Sequence, residues 1–429
     1  MHLVIAKSQQ PRRKMTGFSH STDAKTQAEL VRKWMVLVET TAEGTRKEEG
    51  LELAAKGPEK CLFPKDKQPG WRELHQAARN GDLRLVKQLL KRGAATNSRD
   101  ENGWTPLHVA SLHNCVPLVK FLIRRGATIP ADDRAGYTPL HHAAWSGHTQ
   151  VADLLLARGA PVAGSTKGGL TPFHCAAANG HTLMMQLLLC HGTDPTTTDC
   201  NQWTALHWAT AGNQLHIMNG LISQGVNPNL QSKGGITPLH IAAEIGKPET
   251  IRLLLAKGAN VNLQDDWGRT ALSVASKNSH HEIVKLLLQN QADRNLADCH
   301  GCVPLHKAAG AGCLLAVCLL VKESPTASVN QRDGLQLTPL HRAVICGHAE
   351  VASCLLEHGA DVNAAGWLGK TTLHLAAEKK SFPLMELLLA KGADLSQKTW
   401  WNETAEELAL ESSGPRVFSS CTLPGRPQV

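Results

Sequence analysis

TPLHHAAWSGH, residues 138–148, places two adjacent histidines, a tryptophan and a serine within one short stretch. Such a cluster reads as a reactive site, a metal site or ordinary packing, and the choice turns on whether it occurs once. It does not. TPLH stands at Thr105, Thr138, Thr237 and Thr338, with near copies TPFH at Thr171, TALH at Thr204, TALS at Thr270, VPLH at Val303 and TTLH at Thr371. From 105 to 303 every step is 33 residues; one step of 35 leads to 338, and a step of 33 to 371. Stepping back from 105 lands on Arg72 in RELH, and stepping forward from 371 lands on Thr404 in TAEELA. Eleven registered units, the last truncated, therefore cover residues 70–411. A fixed period of this length signals stacked repeats.

Each unit reads the same way. Thr suits an N-cap, and the Pro after it suits the first helical position, where a missing N–H costs nothing. Leu at the third position and small residues at the sixth and seventh, Ala143 and Ala144 here, give a helix with one closely packed face. Gly-His, as at Gly147 and His148, breaks that helix. A second apolar run such as VADLLLARGA (151–160) has helical spacing and ends at a Gly suited to a left-handed cap. A turn led by Asp and closed by Gly, such as DENG (100–103), returns the chain to the next Thr.

This pattern of period and T-P-L-H-x-A signature resembles the ankyrin repeat family. The resemblance implies an all-α solenoid of about ten to eleven helix-turn-helix units. It also implies a concave, partner-facing side made of turn fingers and first helices.

Composition agrees. A solenoid of 429 residues need not split into globules, because each repeat buries its face against its neighbours. Aromatic residues make up only 4% of a chain that is 42% hydrophobic, which fits a core of Leu, Ala, Val and Ile. Half of the net charge of +8 lies in residues 1–69, with 13 Lys and Arg against 9 Asp and Glu. No basic stripe then runs along the repeats, which argues against nucleic acid as partner. The longest apolar run, CLLAVCLLV at 313–321, has nine residues, against the roughly 20 of a membrane span. MHLVIAK lacks the apolar stretch of a signal peptide. The twelve scattered cysteines read as free thiols in a reducing compartment, hence the cytoplasm and also the nucleus as the expected location.

The chemistry-bearing residues favour structure over catalysis. His75, His108, His141, His174, His207, His240, His306, His341 and His374 each take the fourth position of their unit. One His per repeat suits a bond to the Thr hydroxyl and to the backbone of adjoining turns, whereas a metal array would need ligands closer together. CHGC at 299–302 is a Cys-x-x-Cys, but Cys313 and Cys318 fall in a different part of the unit, so zinc is not expected. No phosphate loop, nucleophile elbow or HExxH helix appears. No catalytic residue, cofactor or metal is therefore expected.

What remains is surface. Trp71, Trp104, Tyr137 and Trp203 stand just before the Thr slot or its equivalent. Trp267 and Trp367 lie slightly earlier in their turns, and His142, Trp145 and Trp208 sit in first helices. Trp and Tyr combine rigid apolar area with a polar handle, which favours partner contact. The competing reading is that these rings cap the Ala-rich layer between fingers. The first reading predicts that truncating Trp104 and Trp203 abolishes binding while stability changes little. Resemblance to other ankyrin proteins also implies hydroxylation of Asn262 and Asn363, in LLAKGANVN and LLEHGADVN.

Three further expectations concern the edges of the pattern. Gln291 and Ser324 replace the capping Gly, and two extra residues lie in KESPTAS (322–328), a hinge or a tolerated loop. Residues 1–69 read as a mostly disordered leader with one amphipathic helix over 24–39, which covers the first repeat or folds on a partner. Residues 412–429 read as a disordered tail. The whole reads as a monomeric, non-catalytic scaffold or adaptor for a protein partner; the alternative is a regulatory subunit that controls an enzyme.

Overall fold

The computed structural model describes residues 70–322 and 329–413. The leader, its helix over 24–39, Ser324 and most of the tail lie outside the described residues. Within them the chain forms 21 α-helices and no strand, apart from two isolated bridges at Thr198–Thr204 and Lys398–Thr404. Ten helix pairs, from Trp71–Arg79 with Leu83–Lys91 to Thr372–Glu378 with Phe382–Ala390, are followed by a single helix, Ala405–Ser413. Each first helix packs on the first helices of its neighbours, and most second helices pack on the second helix of the next repeat. This is the helix-turn-helix solenoid that the period predicts.

The packed layer follows from the pattern. Leu107, Leu140, Phe173, Leu206 and Leu239 are buried at the third position. Ala143, Ala144, Ala176 and Ala177 are fully enclosed at the sixth and seventh. Methyl groups there let adjacent first helices approach closely.

The repeated histidine ties one unit to the next. In the 138–145 unit, His141 Nδ1 accepts the Thr138 backbone N–H at 3.1 Å and lies 2.8 Å from the Thr138 hydroxyl. A backbone N–H can only donate, so Nδ1 is unprotonated and Nε2 carries the hydrogen. Nε2–H then donates to the Leu170 carbonyl of the following turn at 3.0 Å. His108, His174, His207 and His341 repeat this geometry. Burial lowers each of these five to about 4, so each is held neutral. The Gly-His motif does more than break a helix. Nε2 of His148 and His181 reaches back one repeat, to the carbonyls of Leu112 (2.9 Å) and Trp145 (2.8 Å). The two histidine sets thus lace the stack in opposite directions.

The turns are equally regular. Asp133 Oδ1 accepts the N–H groups of Ala135 and Tyr137, both at 2.8 Å, and Asp199, Asp265, Asp298 and Asp333 cap their own turns alike. Successive tips are joined by backbone bonds, such as Lys167 N–H to Ala135 (3.0 Å) and Cys200 N–H to Gly168 (3.1 Å). That ladder leaves no room for a side chain at Gly169, whose Cβ would fall 2.6 Å from the Cys200 nitrogen.

At the irregular junction, Gln291 adopts φ 63° where most other repeats place Gly. A non-Gly residue in that region is strained by roughly 1 kcal/mol. The helices His281–Gln289 and Leu314–Lys322 on either side remain regular.

Candidate partner-binding surface

Four of the expected contact residues are interior, which corrects their reading as surface. Trp203 and His142 are each 1% exposed, and Trp145 and Trp208 are also buried. The cause lies in the turn aspartates. Once Oδ1 is spent on backbone N–H groups, Oδ2 still needs a donor in a dry environment. The residue nine positions after the Asp stands over that oxygen. Trp208 Nε1 donates to Asp199 Oδ2 at 3.2 Å, and His142 Nε2 lies 3.9 Å from Asp133 Oδ2. Lys307 and Arg342 hold the same place over Asp298 (2.6 Å) and Asp333 (2.5 Å). Arg269 serves Asp265 from within the turn, at 2.7 Å.

The residue at that place decides which way each carboxyl shifts. Burial pushes the carboxyls of Asp133 and Asp199 up, only partly offset by N–H donors. Burial acts on Asp298 and Asp333 too, but hydrogen bonding from Lys307 or Arg342 and from the turn amides outweighs it, and both fall below the usual range. His142 and Trp208 thus stand at the place where Lys307 and Arg342 complete an internal salt bridge. The sequence carries this signal as an Asp with a donor nine residues on.

The other expected contacts are partly open. Trp104 is half-buried, donates to Asp133 Oδ2 at 3.0 Å and packs on the His142 ring at 4.4 Å. Tyr137 is half-buried against His141 and His142. Trp71 packs on His75, and the Arg269 guanidinium covers the half-buried Trp267 at 4.8 Å. Trp367 is 53% exposed. The structure adds two residues that sequence reasoning missed, Trp400 at 77% and Trp401 at 58% exposed. They occupy the two tip positions after the turn-leading Thr399, so counting from the turn residue finds them.

Those tip positions show a gradient. Arg134, Lys167 and Lys233 are exposed on tips of the earlier units, with the acidic Glu101 before them and Asp266 after them at the same tip position. Leu335, Trp367, Trp400 and Trp401 are exposed on the tips of the later ones. The basic tips are held in register by the backbone ladder, since Arg134, Lys167 and Lys233 each donate their N–H to the preceding finger.

Asn262 and Asn363 lie in the turn after a second helix. Oδ1 of each accepts a backbone N–H from the next repeat, Asp293 or Asp394, at 2.8 Å. Nδ2 donates back to Gln291 (3.5 Å) and Gly392 (3.2 Å). Within CHGC, Cys299 is exposed on a tip while Cys302 is buried 3.8 Å from Asp333 Oδ2. Among the described residues no three His, Cys, Asp or Glu side chains are grouped to hold a metal. No helix among them is long and apolar enough to cross a membrane.

Comparison with known proteins fits this geometry. The family model for ankyrin repeats (3 copies) matches residues 74–166, 159–232, 212–298, 239–333 and 305–399. A solved relative, the crystal structure of the human ASB11 ankyrin repeat domain, is 30% identical, covering 51% of this chain and 96% of that one, with a TM-score of 0.45. Overlapping matches from 74 to 399, on a stack of helix pairs laced by a repeated Thr–His bond, mean that the chain belongs to the ankyrin repeat family.

Proposed function

We propose that the chain is a non-catalytic scaffold or adaptor that binds one protein partner along its finger tips. Ankyrin repeats are in general protein–protein interaction modules. The observation that carries the reading is the exposed row itself, basic at Arg134, Lys167 and Lys233 and apolar at Leu335, Trp367, Trp400 and Trp401. Such a row fits a partner segment that is acidic at one end and apolar at the other. Large exposed aromatics on a rigid backbone are favoured anchors, since little freedom is lost on contact. Trp71, Trp104, Tyr137 and Trp267 add partly open ring area, whereas His142, Trp145, Trp203 and Trp208 support the surface from beneath.

The test uses photo-crosslinking residues at positions 233 and 401 and, as a control, at the exposed Leu183 of a second helix. The partner should link to the tip positions, and Trp367→Ala with Trp401→Ala should weaken it about thirtyfold or more. Links from position 183 alone, or full affinity in the double variant, would contradict the reading.

The finer parts of the proposal rest on sequence. The chain acts as a monomer in the cytoplasm or nucleus, with no nucleic-acid partner; twelve cysteines and a nearly balanced repeat region support this. WTALHWATAG (203–212), the stretch 337–356 and GWLGKTTLHLAAE (366–378) also resemble ankyrin repeat domain-containing protein 65. Hydroxylation of Asn262 and Asn363 belongs here too. Both amides are engaged by the next repeat, so the modifying enzyme must first release the turn. Mass spectrometry of protein co-expressed with an asparaginyl hydroxylase should find one added oxygen on each peptide. Its absence from both would remove the assignment.

A further inference from the structure

The second helices Leu314–Lys322 and Ala349–Glu357 belong to consecutive repeats on either side of the single step of 35 residues. Cys318 on the first and Cys354 on the second bring their Sγ atoms to 3.4 Å, which is van der Waals contact. The register explains the meeting. The fifth residue of one second helix faces the sixth of the next. In the first two repeats those places hold Lys87 and Phe121, whose ammonium and ring are in contact at 5.5 Å. Later repeats pair Lys120 with Leu154, Asp153 with Leu187, Arg252 with Leu286 and Lys285 with Leu319. A polar residue over an apolar one is thus the rule, and two thiols replace it at the irregular junction.

We propose that Cys318 and Cys354 form a reversible disulfide in response to a peroxide, stapling the two repeats that flank the junction. The thiols differ in access: Cys318 is half-buried and Cys354 is 7% exposed. Burial, and then the neighbouring Cys318 thiol, push the Cys354 thiol up, which disfavours its thiolate. The His358 Nδ1 atom, 3.8 Å from the Cys354 sulfur, donates to the Cys354 carbonyl at 2.7 Å and so does not act as its base. Cys318 is therefore the attacking thiol. Its thiolate takes one oxygen of hydrogen peroxide, the O–O bond breaks, and the leaving hydroxide picks up the thiol proton as water. Cys318 is then a sulfenic acid. The Cys354 sulfur, losing its proton, attacks the Cys318 sulfur; the S–O bond breaks and a second water leaves. Two thiols lose two electrons and one peroxide gains them. The sulfurs must close from 3.4 Å to a bond of about 2.05 Å, within reach of side-chain rotation and a small helix shift.

The bond has a mechanical consequence. A repeat array is held together by coupling between neighbours alone. A covalent link across 36 residues adds to that coupling at this step by restricting the unfolded chain. The angle between the basic and apolar parts of the tip row would then be held.

The experiment starts with fully reduced, full-length protein and adds hydrogen peroxide in steps to one equivalent. After alkylation and trypsin digestion, residues 308–322 should appear linked to residues 343–370. Fragment ions should place the link on Cys318 rather than Cys313 and on Cys354 rather than Cys346. Amide exchange in both helices should slow roughly a hundredfold and recover with a thiol reductant. With Cys354→Ser or Cys354→Ala, dimedone should trap a sulfenic acid on Cys318; with Cys318→Ser, none should appear on Cys354. Links spread evenly over the cysteines, links between molecules, or sulfinic acid at both positions with no link would each overturn the proposal.

Discussion

Acidification from pH 6.5 to pH 4 unfolds the repeat array. The five histidines His108, His141, His174, His207 and His341 are deeply buried and titrate at about 4. In the unfolded chain they return to about 6.5. Between these values the unfolded state binds more protons than the native one. Stability is therefore complete above pH 6.5, falls as pH drops through the window and levels off below 4. Each site contributes up to about 3 kcal/mol over the whole window, at about 1.4 kcal/mol per pH unit. Five such sites match or exceed the roughly 5–15 kcal/mol that holds a typical domain folded. Asp133 and Asp199, raised by burial, oppose the trend, because their native state takes up protons more readily than the unfolded chain. Two carboxyls do not balance five imidazoles. Asp298 and Asp333, held low, add their loss below the usual carboxylate range. Circular dichroism at 222 nm should show helix lost between pH 6.5 and 4, before most carboxylates titrate. Ser273, which takes the histidine slot in its own unit, suggests the control. His141→Ser should lower stability at pH 7 and flatten the acid slope by one proton. A helical signal unchanged down to pH 4 would show that the histidines are not held as described.

The fold was legible from one stretch because its logic is local and periodic. Thr, Pro, Leu, His and the Ala pair each do one job, and the same job recurs 33 residues on. The Thr–His bond could be read for the same reason, since both partners lie within three residues. The surface was less legible. Trp203 and Trp367 both sit in turns, yet one is enclosed and the other open. What separates them is the place within the turn. Trp203 is the fourth residue after Asp199 and lies beside Trp208, which is drawn inward by Asp199, whereas Trp367 directly follows Gly366 at the tip, where Glu101, Arg134, Lys167 and Trp400 are exposed too. Burial thus follows the count from the turn-leading residue, which residue type alone does not reveal. The Cys318–Cys354 contact escaped sequence reading likewise, because it requires the register between two second helices across a step of irregular length.

Trp203→Ala destabilises the middle of the array by about 3–5 kcal/mol, the range for removing a buried large aromatic. Trp203 is 1% exposed, its ring centroid lies 5.2 Å from that of Trp208, and it packs against His207 at 5.8 Å. Removing it leaves a cavity beside two groups that hold the turn: Trp208, bonded to Asp199, and His207, bonded to the Ile236 carbonyl of the next finger. The damage should stay near its origin, because coupling runs only between neighbours. Amide exchange in the helices Ala205–Ala211 and Leu215–Ser223 should speed up most, and that in Phe382–Ala390 little. Trp401→Ala, at an exposed tip, should change stability by no more than about 0.5 kcal/mol. The pair reverses the expectation drawn from sequence, in which Trp203 bore on binding and not on stability. The physical reason is the carboxylate beneath it: a buried Asp199 recruits the Trp208 N–H, and the indole that donates it closes over Trp203. Denaturant titration of both variants decides the matter. Equal midpoints for Trp203→Ala and the unmodified chain would place the Trp203 ring outside the core.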